Sequence, residues 1–285
     1  MADVRLVVVD LDTAFLTGHS DTHPENLRAM REAQQRGISV CVSTNRGWSA
    51  ARYIVHKCGF MPFAITSGGA AVIDLETDEP VLRRTMVATA VLPLLYSAWV
   101  TGVQTSYVHS TGFTAGFGRG VEDRVLRTDI RNAVIPREDW EEFRAYTDFL
   151  RYFRAVRGRT ELALMTGLAE QGGELPEKMA QIVDKLDAFN LSHPNGDEVA
   201  VVSKRVSKLN ALEAICRHEG IDRRNVLVIG GQENDIPMLE WAGEGVAIGD
   251  AEECVCQAAD RVTVVSRDAG VAKAIYESAL GYVFD

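Results

Sequence analysis

The feature that most constrains this chain lies at its start. Val4-Arg5-Leu6-Val7-Val8-Val9 is a β-branched and aliphatic run that stops at Asp10, and Asp12 follows two positions later. An apolar run without polar alternation reads as a strand buried on both faces, the kind found in a parallel sheet covered by helices. Asp10 then stands at the carboxyl end of that strand, where ligands of doubly wound α/β sheets gather.

The same pattern recurs along the chain. From Pro24 the positions Leu27, Met30, Ala33 and Gln34 have helical spacing, and Gly37 stops the helix. A second strand over 38–42 ends in Ser43-Thr44-Asn45-Arg46, a helix over 49–58 is closed by Gly59, and a third strand over 63–66 runs into a turn at Gly68-Gly69. Near the C-terminus a strand over 226–229 ends in Gly230-Gly231, a helix starts about Asp235, and short strands follow over 245–248 and 261–265. Strand and helix alternating with short connections predict a doubly wound, mainly parallel, Rossmann-like α/β core, here split into residues 1–81 and 204–285.

The stretch between, 82–203, is less regular and predicts an inserted α+β domain. It holds strand-like 105–110 and 161–165 and a Gly-rich turn at Gly116-Phe117-Gly118-Arg119-Gly120. A helix is expected over 176–190, with Met179, Ile182, Val183, Leu186 and Phe189 on one face.

Composition narrows the function classes. With 30 Lys plus Arg against 40 Asp plus Glu the formal charge is −10, which argues against nucleic acid as a partner. Cys41, Cys58, Cys216, Cys254 and Cys256 form no CxxC pair, so neither a disulfide framework nor a zinc ribbon is expected. A start without a signal-peptide h-region points to the cytoplasm. No Asp, Glu, Lys or Arg occurs between Arg84 and Arg119, but Pro93 and Gly102 interrupt the apolar part, and a membrane span needs about 20 consecutive apolar residues. Residues 87–103 are therefore read as a buried or interface-facing helix, with Trp99 a candidate contact in a homo-oligomer.

The unusual polar residues collect at strand ends. Two carboxylates in Asp10-Leu11-Asp12-Thr13 can attack an electrophile, hold a hard cation, or exchange a proton; the blander reading is a strand end and a turn cap. Thr44 and Arg46 offer a hydroxyl and a charged fork to phosphate oxygens, or else an N-cap and a solvated side chain. Lys208 opens a predicted helix, where the helix dipole disfavours a cation unless an anion is near. In Gly230-Gly231-Gln232-Glu233-Asn234-Asp235 the glycines permit close approach, and Asp235 can complete an acidic cluster or hold Lys208. Gly116-x-Gly118-x-Gly120 has the wrong spacing for a dinucleotide fingerprint. Arg151, Arg154, Arg157 and Arg159 read as a solvated helix face, and His19 and His23 as loop bystanders to the cleft.

Taken in order, Asp-x-Asp, Thr, Lys and Gly-x-x-x-Asn-Asp-x-x-Met-Leu resemble the haloacid dehalogenase superfamily, in particular its Cof-type branch with a large cap between the second and third motifs. The resemblance covers the core. It implies that Asp10 is a nucleophile forming an aspartyl-phosphate and Asp12 the acid/base. Lys208 would be the neutralising cation, with Thr44, Asn45, Arg46 and Asn234 binding substrate. It further implies Mg2+ held through Asp10, the Asp12 backbone carbonyl and Asp235. The implied substrate is a small phosphorylated or anionic metabolite, with no membrane partner.

Five positions, in four motifs, depart from that pattern. The family continues its first motif as Gly-Thr where this chain has Thr13-Ala14. It has Thr-Gly-Arg for Thr44-Asn45-Arg46, and Asn-Gly for Gly68-Gly69. It also places a metal-binding Asp at Gly231, so magnesium binding here should be weakened or lost unless Glu233 substitutes. Two functions follow: a Mg-dependent phosphomonoesterase, or a scaffold that has left phosphatase chemistry for ligand binding or for a metal-independent acid/base reaction through Asp12. Gly231→Asp offers a discriminator, since activity created from none would favour the second.

Overall fold

The computed structural model describes residues 3–18, 21–100, 105–110, 113–118, 143–166, 174–195 and 198–283. β1 (Leu6–Asp10) is buried throughout. Leu6 and Val8 pack into the apolar layer on one side of the sheet, Val7 and Val9 into the layer on the other. Each such side chain contributes roughly 1.5–3 kcal/mol on leaving water, which is why β1 itself, Leu6–Asp10, carries a charge only at its end.

α1 (Pro24–Gln35) has proline in its first turn, and His23 caps it by accepting from the Glu25 backbone N–H at 3.1 Å. β2 (Ser39–Ser43) and α2 (Trp48–Cys58) follow, the latter closed by Gly59 at φ +82°. β3 (Phe63–Thr66) runs parallel to β2, and β4 (Ala71–Asp74) and β5 (Pro80–Arg83) then extend the sheet antiparallel. The strand-and-helix alternation did not predict this pair. Leu82 lies inside β5.

α3 (Ala88–Val100) carries Pro93 in its interior and leaves Tyr96 and Trp99 half exposed. No helix among the described residues is long and apolar enough to cross a membrane. β6 (Thr105–Ser110), β7 (Phe113–Gly118), β8 (Phe143–Tyr146), β9 (Leu162–Thr166), β10 (Phe189–Asn195) and β11 (Glu198–Ser203) form a second sheet in the order β10-β11-β9-β6-β7-β8. It is antiparallel except between β7 and β8. α4 (Phe149–Val156) and α5 (Glu174–Leu186) contribute Tyr152, Val156, Met179 and Val183 to its apolar cluster.

Two expectations for this region are corrected. Gly116 and Gly118 lie within β7 and pair with Tyr107 and Thr105, so the glycines belong to a strand and not to a turn; Arg119 and Gly120 fall outside the described residues. The helix expected to reach 190 stops at Leu186, and Phe189 packs against the same cluster from β10.

The chain returns to the first sheet with α6 (Lys208–Glu219), β12 (Val226–Gly230), α7 (Ile236–Trp241), β13 (Glu244–Ala247), α8 (Glu253–Ala258), β14 (Arg261–Val262) and α9 (Gly270–Ala274). Its order is β14-β13-β12-β1-β2-β3-β4-β5, parallel from β14 to β3. β1 is thus central, flanked by β2 and β12, and the carboxyl ends of these three parallel strands lie side by side. The two sheets are tied by Met86 N–H donating to Thr160 O at 2.7 Å. Buried Glu161 adds to this, accepting from Arg83 Nε at 2.5 Å and Ser67 Oγ at 3.4 Å.

Candidate active site

Asp10 ends β1, and the chain turns at once through one wide π-type turn, Leu11–Phe15, closed by Leu16 N–H on Leu11 O at 2.9 Å. That turn folds Thr13 back over the carboxylate: Asp10 Oδ2 accepts from both the backbone N–H and the hydroxyl of Thr13, each at 2.8 Å. From the opposite side Lys208, 198 residues away, donates from Nζ to Asp10 Oδ1 at 2.7 Å and to Asp235 Oδ1 at 2.8 Å. All three side chains are buried.

Close backbone approaches make this meeting possible. A Cβ on Gly69 (φ +97°) would lie 2.1 Å from Ser207 O, so only glycine lets the turn after β3 press against the start of α6. Ser207 caps that helix, its Oγ accepting from Asn210 N–H at 3.1 Å, which aims Lys208 inward. Asp235 is held by backbone alone on its far side, where Oδ2 accepts from Gly231 and Gln232 N–H at 3.0 Å each.

The electrostatics follow from the triangle. Burial by itself would raise the Asp10 carboxyl, but the Lys208 ammonium and the bonds from Lys208 and Thr13 outweigh it and hold the group below the ordinary carboxylate value. Asp235 is pushed up, by burial first and by repulsion from Asp10 second. Burial acts to lower Lys208, yet the two carboxylates around it raise it above the usual lysine value. The cluster therefore carries an ionised nucleophile candidate locked by a permanent cation.

A second limb lies at the end of β2. Asp12 Oδ2 accepts from Thr44 Oγ1 at 2.6 Å, and Asp12 Oδ1 is gripped by Arg46 through Nε and a second guanidinium nitrogen, both at 2.7 Å. Thr44 Oγ1 in turn accepts from Arg46 N–H at 3.0 Å. Asn234 donates to Asn45 at 2.8 Å, and Asn45 to Gln232 at 3.3 Å, which stitches the β2 end to the turn after β12.

All eight residues singled out from the sequence, Asp10, Asp12, Thr44, Asn45, Arg46, Lys208, Asn234 and Asp235, are thus brought to adjoining strand ends. Glu233 is exposed. His23 is a helix cap, His19 lies outside the described residues, and Arg151, Arg154, Arg157 and Arg159 are exposed. Sequence reasoning missed Thr13 and Gln232. The signal for Thr13 was present, since positions 13 and 231 both depart from the family pattern.

The residues present do not fit the family's magnesium. All four oxygens of Asp10 and Asp235 are engaged by Lys208, Thr13 or backbone N–H groups, and Asp12's side chain belongs to Thr44 and Arg46. Residue 231 has no side chain to ligate a metal, and a Cβ there would sit 2.7 Å from Thr13 Oγ1. Among the described residues no group of three His, Cys, Asp or Glu side chains is placed to hold a metal ion. Magnesium wants near-ideal octahedral oxygen coordination, and what is left here is mainly a backbone carbonyl.

An α/β core interrupted by a second sheet, with a carboxylate nucleophile candidate, a bridging lysine and an Asp-Thr-Arg limb, defines a hydrolase of the Asp-x-Asp class. The chain belongs to the haloacid dehalogenase-like hydrolase family, whose model matches residues 7–275. It is 23% identical over 273 residues to the 5-amino-6-(5-phospho-D-ribitylamino)uracil phosphatase YcsE of Bacillus subtilis, covering 96% of this chain and 95% of the relative. To the phosphoglycolate phosphatase of Methanopyrus kandleri it is 28% identical over 268 residues, 94% of either chain. The fold is shared with a subclass IIB sugar phosphatase of the superfamily at TM-score 0.80 and 18% identity, covering 96% of this chain and 98% of that one. A haloacid dehalogenase-like hydrolase from B. subtilis matches at TM-score 0.80 and 23% identity, covering 96% and 100%.

Proposed function

We propose that this protein hydrolyses a small phosphate monoester through an aspartyl-phosphate on Asp10. One observation carries the reading: Lys208 bridges Asp10 and Asp235 in a buried triangle beside Asp12, Thr44 and Arg46. In the first step Asp12 takes a proton from the incoming phosphate monoanion and passes it to the leaving oxygen, as an Asp10 oxygen forms a bond to phosphorus and the ester P–O bond breaks. In the second, water attacks phosphorus, Asp12 takes its proton, and the Asp10–phosphorus bond breaks to release inorganic phosphate. Lys208 balances charge on nucleophile and phosphoryl group in both steps.

Arg46 and Thr44 occupy Asp12 in the resting site and are the donors best matched to phosphate oxygens. A bound phosphate that draws them over frees Asp12 for proton transfer, so binding and acid/base readiness are coupled. The two relatives act, by their names, on different metabolites, and only the phosphomonoester class carries over to this chain. Its substrate contacts would come from the second sheet and its helices. Five cysteines without disulfides suit the reducing cytoplasm. Against the reading that the scaffold has left phosphatase chemistry stand the two whole-chain phosphatase relatives named above and the assembly of acid/base, nucleophile and cation candidates at one site.

The test is capture of the phosphoenzyme. With a radiolabelled aryl phosphate, acid-quenched Asp12→Asn should retain label that Asp10→Asn does not, and Asp10→Asn should lose turnover by roughly 10⁴-fold or more. Label retained equally by both would refute Asp10 as nucleophile.

A further inference from the structure

Thr13 and Gly231 lie on different elements, one in the turn after β1 and one after β12, yet each explains the other. The space a side chain on residue 231 would need is filled: its Cβ would lie 2.7 Å from Thr13 Oγ1 and 3.0 Å from Thr13 Cβ and Ile248 Cγ2. Rotating Thr13 away does not clear that space, because its Cβ is fixed to the backbone and its hydroxyl would give up the 2.8 Å bond to Asp10. Thr13 meanwhile supplies two donors to Asp10 Oδ2, while Lys208 supplies the donor to Oδ1. Both oxygens of the nucleophile are therefore oriented by the chain's own groups.

We infer that Thr13 and Gly231 are an interlocked pair that closes the divalent-ion position, with Thr13 a positioning residue that fixes Asp10 so that hydrolysis proceeds without a divalent metal. The clause about hydrolysis rests on the phosphatase reading above, whereas the closure of the ion site does not. Charge compensation then comes from Lys208 and Arg46, both already in place. This pairing also changes what Gly231→Asp would do. By itself it sets a carboxylate against Thr13, and only with Thr13→Gly does the new side chain have room.

Four proteins test this: the wild type, Thr13→Gly, Gly231→Asp and the double variant. Each is titrated with magnesium chloride in isothermal calorimetry and thermal-shift assays, and each is assayed on an aryl phosphate in chelator and in magnesium. The wild type should bind no magnesium at millimolar concentration and turn over equally in both buffers. The double variant should gain a magnesium-dependent rise in melting temperature. Gly231→Asp alone should gain none or fail to fold, either of which marks the coupling. Thr13→Val, which keeps volume and drops the hydroxyl, should slow turnover in chelator roughly tenfold.

Saturable magnesium binding by the wild type overturns the inference, as does equal binding by Gly231→Asp and the double variant. Wild-type hydrolysis that vanishes in chelator and returns with magnesium overturns it too. A wild type that hydrolyses nothing in either buffer would instead sink the phosphatase reading, and the binding titrations would still decide the Thr13–Gly231 pair.

Discussion

The two sheets of this protein use the same backbone chemistry and give up very different amounts of information. In the first, β1 and β12 are buried on every residue, so a polar side chain is tolerated only where the strand ends. Asp10, Thr44 and the Gly230-Gly231 turn stand at such ends. In the second, antiparallel strands pack helices through an apolar cluster that takes Val199 and Val201 from β11, and exposed or half-exposed positions occur along its helices. A polar residue is costly in one sheet and ordinary in the other. Candidate chemistry is therefore readable from the first, while the second, proposed above to contact the substrate, leaves no comparable mark.

The contrast can be broken most forcefully at Lys208. Lys208→Met leaves two buried carboxylates facing one another and is expected to cost about 3–5 kcal/mol at neutral pH, with loss of hydrolysis. Its pH dependence separates this from a packing defect. Without the ammonium both acids bind protons more tightly folded than unfolded, so stability in urea rises as pH falls from neutral toward about pH 5. A flat profile would mean the triangle is not electrostatic. In the wild type Asp10 works in the other direction: its stabilisation is in place above the ordinary carboxylate value of 3.8 and is lost as pH falls through its lower folded value.

Tyr152→Ala probes the other sheet. Tyr152 is fully buried and stacks on Phe117 at 5.4 Å, so its truncation should cost about 3–5 kcal/mol in urea unfolding. The single-turnover phosphorylation rate on a small aryl phosphate should be unchanged below the unfolding transition. An equal loss of that rate would show that the second sheet's packing sets the nucleophile's geometry.

Gly69→Ala sharpens the point within the core. It forces a Cβ at φ +97° against Ser207 O, and backbone strain of this kind costs about 1–3 kcal/mol. Because the clash is transmitted to the start of α6, kcat should fall more than stability suggests, which steady-state kinetics and urea unfolding on one preparation would show. The smallest effect is expected for Arg151→Ala with Arg154→Ala. Both side chains are exposed, so stability should change by under about 0.5 kcal/mol per site and KM should stay put. A raised KM would turn a solvated face into a substrate contact.

Legibility in the sequence followed the same divide. The Val-rich run, the helical spacing from Pro24 and the strand over 63–66 were readable because burial on both faces or on one stripe writes a period into the chain. Phe189 was misplaced because an apolar residue ten positions along also suits the next strand's inner face. Gly116 and Gly118 were misplaced because glycine marks turns more often than strands. β5 went unseen because an antiparallel edge strand carries mixed polarity, as the half-exposed Pro80–Arg83 shows, and β4 because its buried run Ala71–Ile73 is too short to write a period.

The sequence alone determined which elements form and which polar residues end them, since those depend on neighbours a few positions away. It also set the order Asp10, Thr44, Lys208, Asp235 from which the family resemblance was drawn. Only the tertiary structure decided that Thr13 fills the space residue 231 would need, that Lys208 spans both acids, and that Arg46 holds Asp12. Those facts depend on ångström-scale distances between groups dozens to hundreds of residues apart. Such distances are set by how whole strands and helices pack, which local propensity does not encode.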